Sequence, residues 1–497
     1  MKKILSNGSS AVIAQIVTII YGFVLPRLIL EQYGSELNGL TQSIKQFLGI
    51  ISFMDMGVGQ VVRSTLYSPL HQKDYQQISR IMVSGRRYYR TIAYLLLGYI
   101  ALLLVFYPTL VNSSFDWLYT ASLIGVMAIS SFSQYYFGII NEQLLHADQK
   151  SYLIYGTQIF TNLANMLLCI WMIRMDASMH AVKLMTSLVF VIKPLIYGAY
   201  VQRHYPIDKT ITYGEEPIKQ KWNGITQHIS SVVLDGTDNI VLTFFSTLSN
   251  VSVYSVYYMI IGSIQGFYQS AVAGIQSAAG AMWAKQDQVK IRQMFATVEF
   301  GLHAVTVFLF SCTGILIVPF VQVYTDGLTD ANYIQPVFAT LLVLGYGIRC
   351  LRTPYNIWIL AAGHFKQTQR CHITAAALNL ILSVLAVSRW GLVGVAVGTL
   401  IAMCYQTAWM MIYTTKRLVK YTAGHILKQC LADIITVAAI CAFTSRIALM
   451  DVSYLGWFLM AVKVAVIALL CTFITSALLY WKETQRFLKR LLQKAVS

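Results

Sequence analysis

Long apolar runs, broken by short polar or glycine-containing stretches, dominate the chain from residue 8 to residue 480. A helix of about 18 or more apolar residues crosses roughly 30 Å of hydrocarbon, whereas a membrane strand alternates apolar and polar positions over about ten residues. No such alternation runs through these stretches, so the pattern predicts an all-α, polytopic membrane protein. The predicted spans are 8–30, 40–62, 88–110, 117–140, 151–173, 179–200, 224–247, 252–278, 297–320, 334–362, 369–388, 391–414, 428–449 and 455–480. That is about fourteen crossings.

Composition supports the same reading. The 497 residues are 57% hydrophobic and 11% charged, with a mean hydropathy of +0.59. A soluble surface normally needs about 25% charged residues. The net charge of +17 is concentrated between alternate spans: Arg63, Lys73, Arg80, Arg86, Arg87 and Arg90 share one loop, while the opposite side holds Arg174, Arg389 and Arg446. This is the positive-inside bias, and it places both termini in the cytoplasm. Topology and anionic lipid heads account for the excess charge, and with no folded soluble domain nucleic acid is not an expected partner. Lys2 and Lys3 before an apolar run imitate a signal peptide, but Pro26, Arg27 and the lack of a small-residue cleavage site read as a retained first helix. The eight cysteines form no CxxC pair and read as small buried hydrophobes.

The spans divide as six, six and two. The expected organisation is an N-terminal lobe (1–206), a cytoplasmic linker (207–223), a C-terminal lobe (224–420), a further helix pair (421–480) and a basic tail (481–497). The two six-helix lobes are expected to be pseudo-symmetric, because the passage from Tyr33 echoes the passage from Leu248; duplicated halves are a common transporter plan. Residues 63–87 read as an amphipathic helix lying on the membrane, with Ile78, Ile81, Met82 and Val83 on its apolar side.

Ionisable groups inside hydrocarbon are costly, so those that interrupt spans are candidates for a pathway, a cavity or a partner. In the seventh span His228 and Asp235 share a face, and Asp238 follows three residues later. A close carboxylate pair beside an imidazole is suited to coupling with protons or cations such as sodium; the structural alternative is that Asp238 bonds to neighbouring helices. In the tenth span Arg349 and Arg352 share a face, where two guanidiniums can grip a phosphate. Arg27 and Lys45 lie toward the outer ends of their spans and Lys193 lies deeper, beside Pro194. These five cations are the candidate site for an anionic substrate, which the resemblance described below would make a diphosphate. Lys183 reads as snorkelling, and Glu299 and Lys463 as ion-paired structure. No Walker A loop, HExxH or nucleophile elbow is present, so a transporter with no metal or cofactor is expected rather than an enzyme.

The order of several loose motifs carries a resemblance. Pro26-Arg27 closes the first span, then come Gln32-Tyr33-Gly34-Ser35-Glu36-Leu37-Asn38-Gly39-Leu40 and Met54-Asp55-Met56-Gly57-Val58-Gly59-Gln60. Much later, Gly391-Leu392-Val393-Gly394-Val395-Ala396-Val397-Gly398-Thr399 opens the twelfth span. Together these resemble the bacterial polysaccharide-biosynthesis membrane proteins. That family comprises the Wzx-like oligosaccharide flippases of the multidrug, oligosaccharidyl-lipid and polysaccharide exporter superfamily. The resemblance implies a protein of the bacterial cytoplasmic membrane, and a monomer is expected. It would turn an undecaprenyl-diphosphate-linked oligosaccharide from the inner to the outer leaflet by alternating access, for capsule, exopolysaccharide or another envelope glycan. A glycan polymerase or glycosyltransferase is the implied partner. The lipid II flippases, a related group, carry an arginine late in the first helix, and Arg27 occupies a comparable place. The alternatives are a cation-coupled multidrug antiporter and a membrane scaffold for glycan-assembly enzymes.

Overall fold

A computed structural model describes residues 2–55, 58–111, 114–218, 225–421 and 423–480; the expected basic tail, 481–497, lies outside the described residues. Helix accounts for most of them, and they divide into two compact units: residues 1–232 with 246–252, and residues 233–245 with 253–497. Among the described residues nine helical stretches are long and apolar enough to cross a membrane. The two longest, Ser10–Ser52 and Phe365–Val419, each overlap two of the expected spans. The chain is a multi-pass membrane protein.

The first unit contains α1 (Lys2–Gly49), α2 (Val58–Gln72), α3 (Tyr75–Leu110), α4 (Trp117–Ser133), α5 (Ile139–Ala147), α6 (Ser151–Arg174) and α7 (Met179–His204). Its polarity is inverted relative to a soluble domain. Leu102, Leu118 and Leu167 are exposed, while Asn38, Thr161 and Asn165 are buried. Hydrocarbon is the solvent for the former, and the latter act as interhelical glue. Between α1 and α6, Gln158 and Asn162 each donate to Thr18 Oγ1 (3.1 Å), and Asn165 donates to the Tyr21 hydroxyl (2.9 Å). Gly34, at φ +81°, breaks α1 into two limbs; this left-handed backbone suits a residue without Cβ.

The second limb of α1 packs against the first turn of α9 (Leu248–Ala284). Asn38 Nδ2 donates to Ser252 Oγ (2.7 Å), and a Cβ on Gly39 would run into the carbonyl of Leu248. The two echoing passages, from Tyr33 and from Leu248, therefore touch each other.

Residues 63–87 do not form one surface helix, which corrects that expectation. The chain reverses at Lys73, which takes positive φ, and Asp74 then caps α3 by accepting from the Gln77 amide (2.9 Å). Ile78, Ile81 and Met82 are fully buried and hold the hairpin to the protein rather than to lipid.

The second unit contains α8 (Ile225–Phe245) from residue 233, α9 from residue 253, α10 (Gln288–Tyr324), α11 (Pro336–Leu351), α12 (Thr353–Ala361), α13 (Phe365–Tyr413), α14 (Ala423–Thr444) and α15 (Tyr454–Leu479). Arg352 separates α11 from α12, and Pro354 sits in the first turn of α12, where its missing N–H costs no helical bond. Gly391, at φ +52°, breaks α13 into two limbs. Gly394 and Gly398 then let the limbs fold onto each other: a Cβ at Gly398 would stand 2.8 Å from the Ser383 amide nitrogen. The final pair, α14 and α15, packs on α10, with Trp457 Nε1 donating to Leu316 O (3.2 Å).

A Gly39→Val substitution is expected to destabilise the first unit by about 1–3 kcal/mol through overpacking. Gly22→Ala, where nothing lies within 4 Å of the added Cβ, is the control. Thermal unfolding followed by fluorescence-detected gel filtration compares them; equal midpoints would remove the close approach at Gly39.

Candidate functional site

The five candidate cations fall in both units. In the first, Arg27 Nη2 pairs with Glu31 Oε1 one turn along α1 (2.7 Å). Lys193 Nζ lies 4.6 Å from the centroid of the Phe190 ring on α7. Lys45, on the second limb of α1, keeps accessible surface, and its charge neighbours that of Lys183 on α7. The proximity of Lys45 and Lys183 could not be read from the sequence, because nothing in a single sequence says which helices are adjacent. Two ammoniums held near each other repel, and an anion between them relieves that repulsion.

In the second unit Arg349 and Arg352 stand at the break between α11 and α12. Arg349 lies over the Tyr346 ring (6.0 Å to the centroid). Arg352 sits close enough to Cys371 and His372 of α13 to influence both electrostatically, and it caps α11. Each arginine has protein neighbours of its own, so the pair is anchored at a helix break.

Asp238 has the most developed surroundings of the sequence candidates. It is 1% exposed. The Tyr254 hydroxyl donates to Oδ2 (3.1 Å), and the Thr399 hydroxyl closes on Oδ1 and Oδ2 (2.7 and 2.9 Å). Asn379 Nδ2 in turn donates to Thr399 Oγ1 (2.9 Å). The Asn379 Oδ1 atom is buried without a hydrogen-bond partner. One turn away on α13, Ser383 Oγ reaches Val395 O (3.4 Å). The glycine-rich run is what brings these groups together, since Asn379 and Ser383 lie on one limb of α13 and Thr399 on the other. The result is a carboxylate, an amide oxygen, hydroxyls and a carbonyl within one packed region. Oxygen groups of this kind suit a hard cation or a proton. The other two members of the expected group, His228 and Asp235, lie outside the described side chains.

No protein-family model matches the chain, and no curated protein matches it in sequence. Solved structures do match. The chain superposes on the lipid II flippase MurJ, in an inward closed conformation, with a TM-score of 0.72 at 13% identity, covering 95% of this chain and 98% of that one. An inward-facing multidrug resistance MATE family transporter of the MOP superfamily gives 0.66 at 13% identity, covering 82% and 96%. A eukaryotic MATE transporter gives 0.61 at 11% identity, covering 88% and 98%. The chain shares the backbone fold of these three structures. At these identities the likeness concerns backbone architecture, and the all-α polytopic fold class expected from the apolar pattern is the one observed.

The second unit also holds a polar network that reading the spans one at a time did not assemble. Glu299 and His303 lie one turn apart on α10, Tyr355 is on α12, and His425, Gln429 and Asp433 recur every four residues on α14. Tyr355 donates to Glu299 Oε1 (2.6 Å), and His425 Nε2 lies 2.5 Å from Glu299 Oε2. His303 Nδ1 lies 2.7 Å from Asp433 Oδ2, and Gln429 donates to Asp433 Oδ1 (3.3 Å). The Tyr355 hydroxyl stands 3.4 Å from His303 Nε2 and joins the two halves. Glu299 is tied into the structure by Tyr355 and His425, whereas Lys463 is exposed on α15. The four-residue spacing on α14 was the available signal, but it needs α10 beside it to acquire meaning.

Removing one member of a buried pair costs about 3–5 kcal/mol, so Glu299→Ala is expected to lower the thermal midpoint clearly in detergent. Glu299→Gln, which still accepts from Tyr355, is expected to cost less. Equal midpoints for wild type and Glu299→Ala would mean that α14 is held by apolar packing alone.

Proposed function

We propose that the chain is a flippase that moves a polyprenyl-diphosphate-linked oligosaccharide from the inner to the outer leaflet by alternating access, supplying an envelope glycan such as a capsule or exopolysaccharide. The observation that carries this reading is the charge of the membrane-embedded cations, above all Lys45, which keeps accessible surface and lies within electrostatic reach of Lys183. A diphosphate needs fixed positive charge along its path, and a lysine or arginine facing plain hydrocarbon is disfavoured. Arg27, Lys193, Arg349 and Arg352 are assigned to the same task in different stages of the cycle. The near-complete superposition on a lipid II flippase supports a lipid-linked cargo. The chain is taken to act as a monomer in the bacterial cytoplasmic membrane with both termini inside. Its two six-helix lobes would be joined by the 207–223 linker and extended by the 421–480 pair.

Asp238 is proposed as the ion-coupling group, with Asn379 and Thr399 as further oxygen ligands and Asp235 and His228 on the same helix. Sodium or a proton would neutralise the carboxylate, and release would leave a buried charge that favours rearrangement of α13 around it. The second reading is a cation-coupled multidrug antiporter, favoured by the same buried carboxylate and by the MATE transporters that share the fold. A scaffold for a glycan polymerase or glycosyltransferase is the third.

Purified protein in proteoliposomes is expected to exchange a labelled polyprenyl-diphosphate oligosaccharide between leaflets, and Lys45→Ala and the Arg349→Ala, Arg352→Ala double variant are expected to slow exchange at least about tenfold, as loss of one charge-assisted contact of ~1.4 kcal/mol implies. Efflux of a cationic dye without oligosaccharide exchange would instead establish the antiporter. For coupling, sodium chloride is expected to raise the thermal midpoint of the wild type over choline chloride, the gain approaching about 2.7 kcal/mol at 100 times Kd. Asp238→Asn is expected to abolish that response. A wild-type midpoint indifferent to both sodium and pH would remove ion coupling from Asp238.

A further inference from the structure

The segment that follows α7 is tied along the N-terminal half of α3. The Asp208 amide donates to Ser79 Oγ (3.0 Å), Ser84 Oγ donates to Glu216 Oε1, and the buried Ile218 lies over Gly85. Between this strap, α3, α5 and α7 a cavity of about 300 Å³ remains. Arg86 of α3 and Lys209 of the strap line it, together with Asn141 of α5, Gln202 of α7 and Tyr205.

Charge bookkeeping around the cavity leaves its two cations open. Asp148 is occupied by Lys150 Nζ (2.9 Å) and by the Tyr205 hydroxyl (2.5 Å). Asp208 is held by the Thr210 hydroxyl and amide (2.6 and 2.8 Å), bonds that keep its carboxyl below the ordinary carboxylate range. Glu216 accepts from Ser84 and from the Ile218 amide. Among the described residues neither Arg86 nor Lys209 pairs with a carboxylate. Asn141 is 6% exposed; its Nδ2 donates to Phe137 O (2.9 Å) and its Oδ1 is buried without a hydrogen-bond partner.

We propose that this cavity binds a phosphate group carried on a hydroxylated, glycerol-like headgroup, with Arg86 and Lys209 holding the phosphate and Asn141 Oδ1 and Gln202 taking the hydroxyls. A guanidinium matches two phosphate oxygens at once, and an ammonium adds a second point of charge. An acceptor oxygen beside them is unsuited to the phosphate itself but suited to a hydroxyl next to it. The helices that wall the cavity continue into exposed apolar side chains, Tyr94 and Leu95 on α3 and Leu195 and Ile196 on α7. A lipid with its head in the cavity therefore has a place for its acyl chains, which favours an anionic phospholipid over a free phosphate ester. The inference stands apart from the proposed transport cargo and needs none of the residues assigned to it.

The test uses the full-length protein in nanodiscs of phosphatidylcholine, with phosphatidylglycerol, soluble glycerol 3-phosphate or inorganic phosphate added in three separate arms, and reads retained lipid by native mass spectrometry and affinity by thermal shift. Phosphatidylglycerol is expected to bind wild type, and the Arg86→Gln, Lys209→Gln double variant is expected to bind it roughly thirtyfold more weakly, as loss of about one contact's worth of free energy per cation implies. Asn141→Leu is expected to weaken phosphatidylglycerol while sparing inorganic phosphate, which guards against misreading a folding defect in the double variant. Binding of glycerol 3-phosphate equal to that of the lipid would support the site with a soluble source. The proposal is overturned if wild type and the double variant bind all three probes alike. It is equally overturned if Arg87→Gln, Arg203→Gln, which removes two exposed charges not among the cavity-lining residues, weakens binding as much.

Discussion

Hydrocarbon cannot hydrogen-bond, and every polar group in this protein that is not at an aqueous end must find its partner on another helix or on its own. That constraint makes the secondary structure almost entirely helical. It also explains why the polar contacts are so specific. Thr18 receives two amides from α6, and Asp238 is wrapped by hydroxyls from α9 and α13. Glu299 and Asp433 are each met by an imidazole. In water such groups would be satisfied by solvent and would carry little positional information. In lipid each one specifies a neighbour.

The breaks in the helices serve the same end. Gly34 and Gly391 turn the chain within otherwise helical stretches, and the glycines after each break allow close packing: Gly39 on Leu248, and Gly394 and Gly398 on the preceding limb of α13. The second of these folds places Thr399 and Asn379 within reach of one another (2.9 Å) and around the carboxylate of Asp238. A packing motif and a candidate ion site are thus one structure, and a methyl group at Gly398 would disturb both.

The second unit is held together by two polar centres of different character. Around Asp238 the hydroxyls of Tyr254 and Thr399 approach the carboxylate, and Asn379 supports Thr399 from behind. Around Glu299 and Asp433 the partners are histidines, so the charge is met within the protein and the benefit is structural, docking α14 on α10 and α12. Conserving a charge in hydrocarbon is costly in both cases, and the difference in partners is what separates a candidate binding group from a staple.

Much of this was legible in one dimension. Apolar run length and low charge determined that the chain is all-α and membrane-embedded, because a lipid environment acts on each segment independently of its neighbours. Individual charged residues inside the spans, Asp238 and Lys45 among them, could be picked out for the same reason. What the sequence could not convey was adjacency. That Lys183 lies within electrostatic reach of Lys45, that Thr399, held by Asn379, meets Asp238, that α14 carries the histidine for Glu299, and that Arg86 and Lys209 face one cavity all depend on which helix faces lie together. The amphipathic reading of residues 63–87 failed on the same point, since an apolar face suits a membrane surface and a protein groove equally well. Only tertiary packing distinguishes the two, because side-chain chemistry names the kind of partner a residue needs and the fold decides which one it meets.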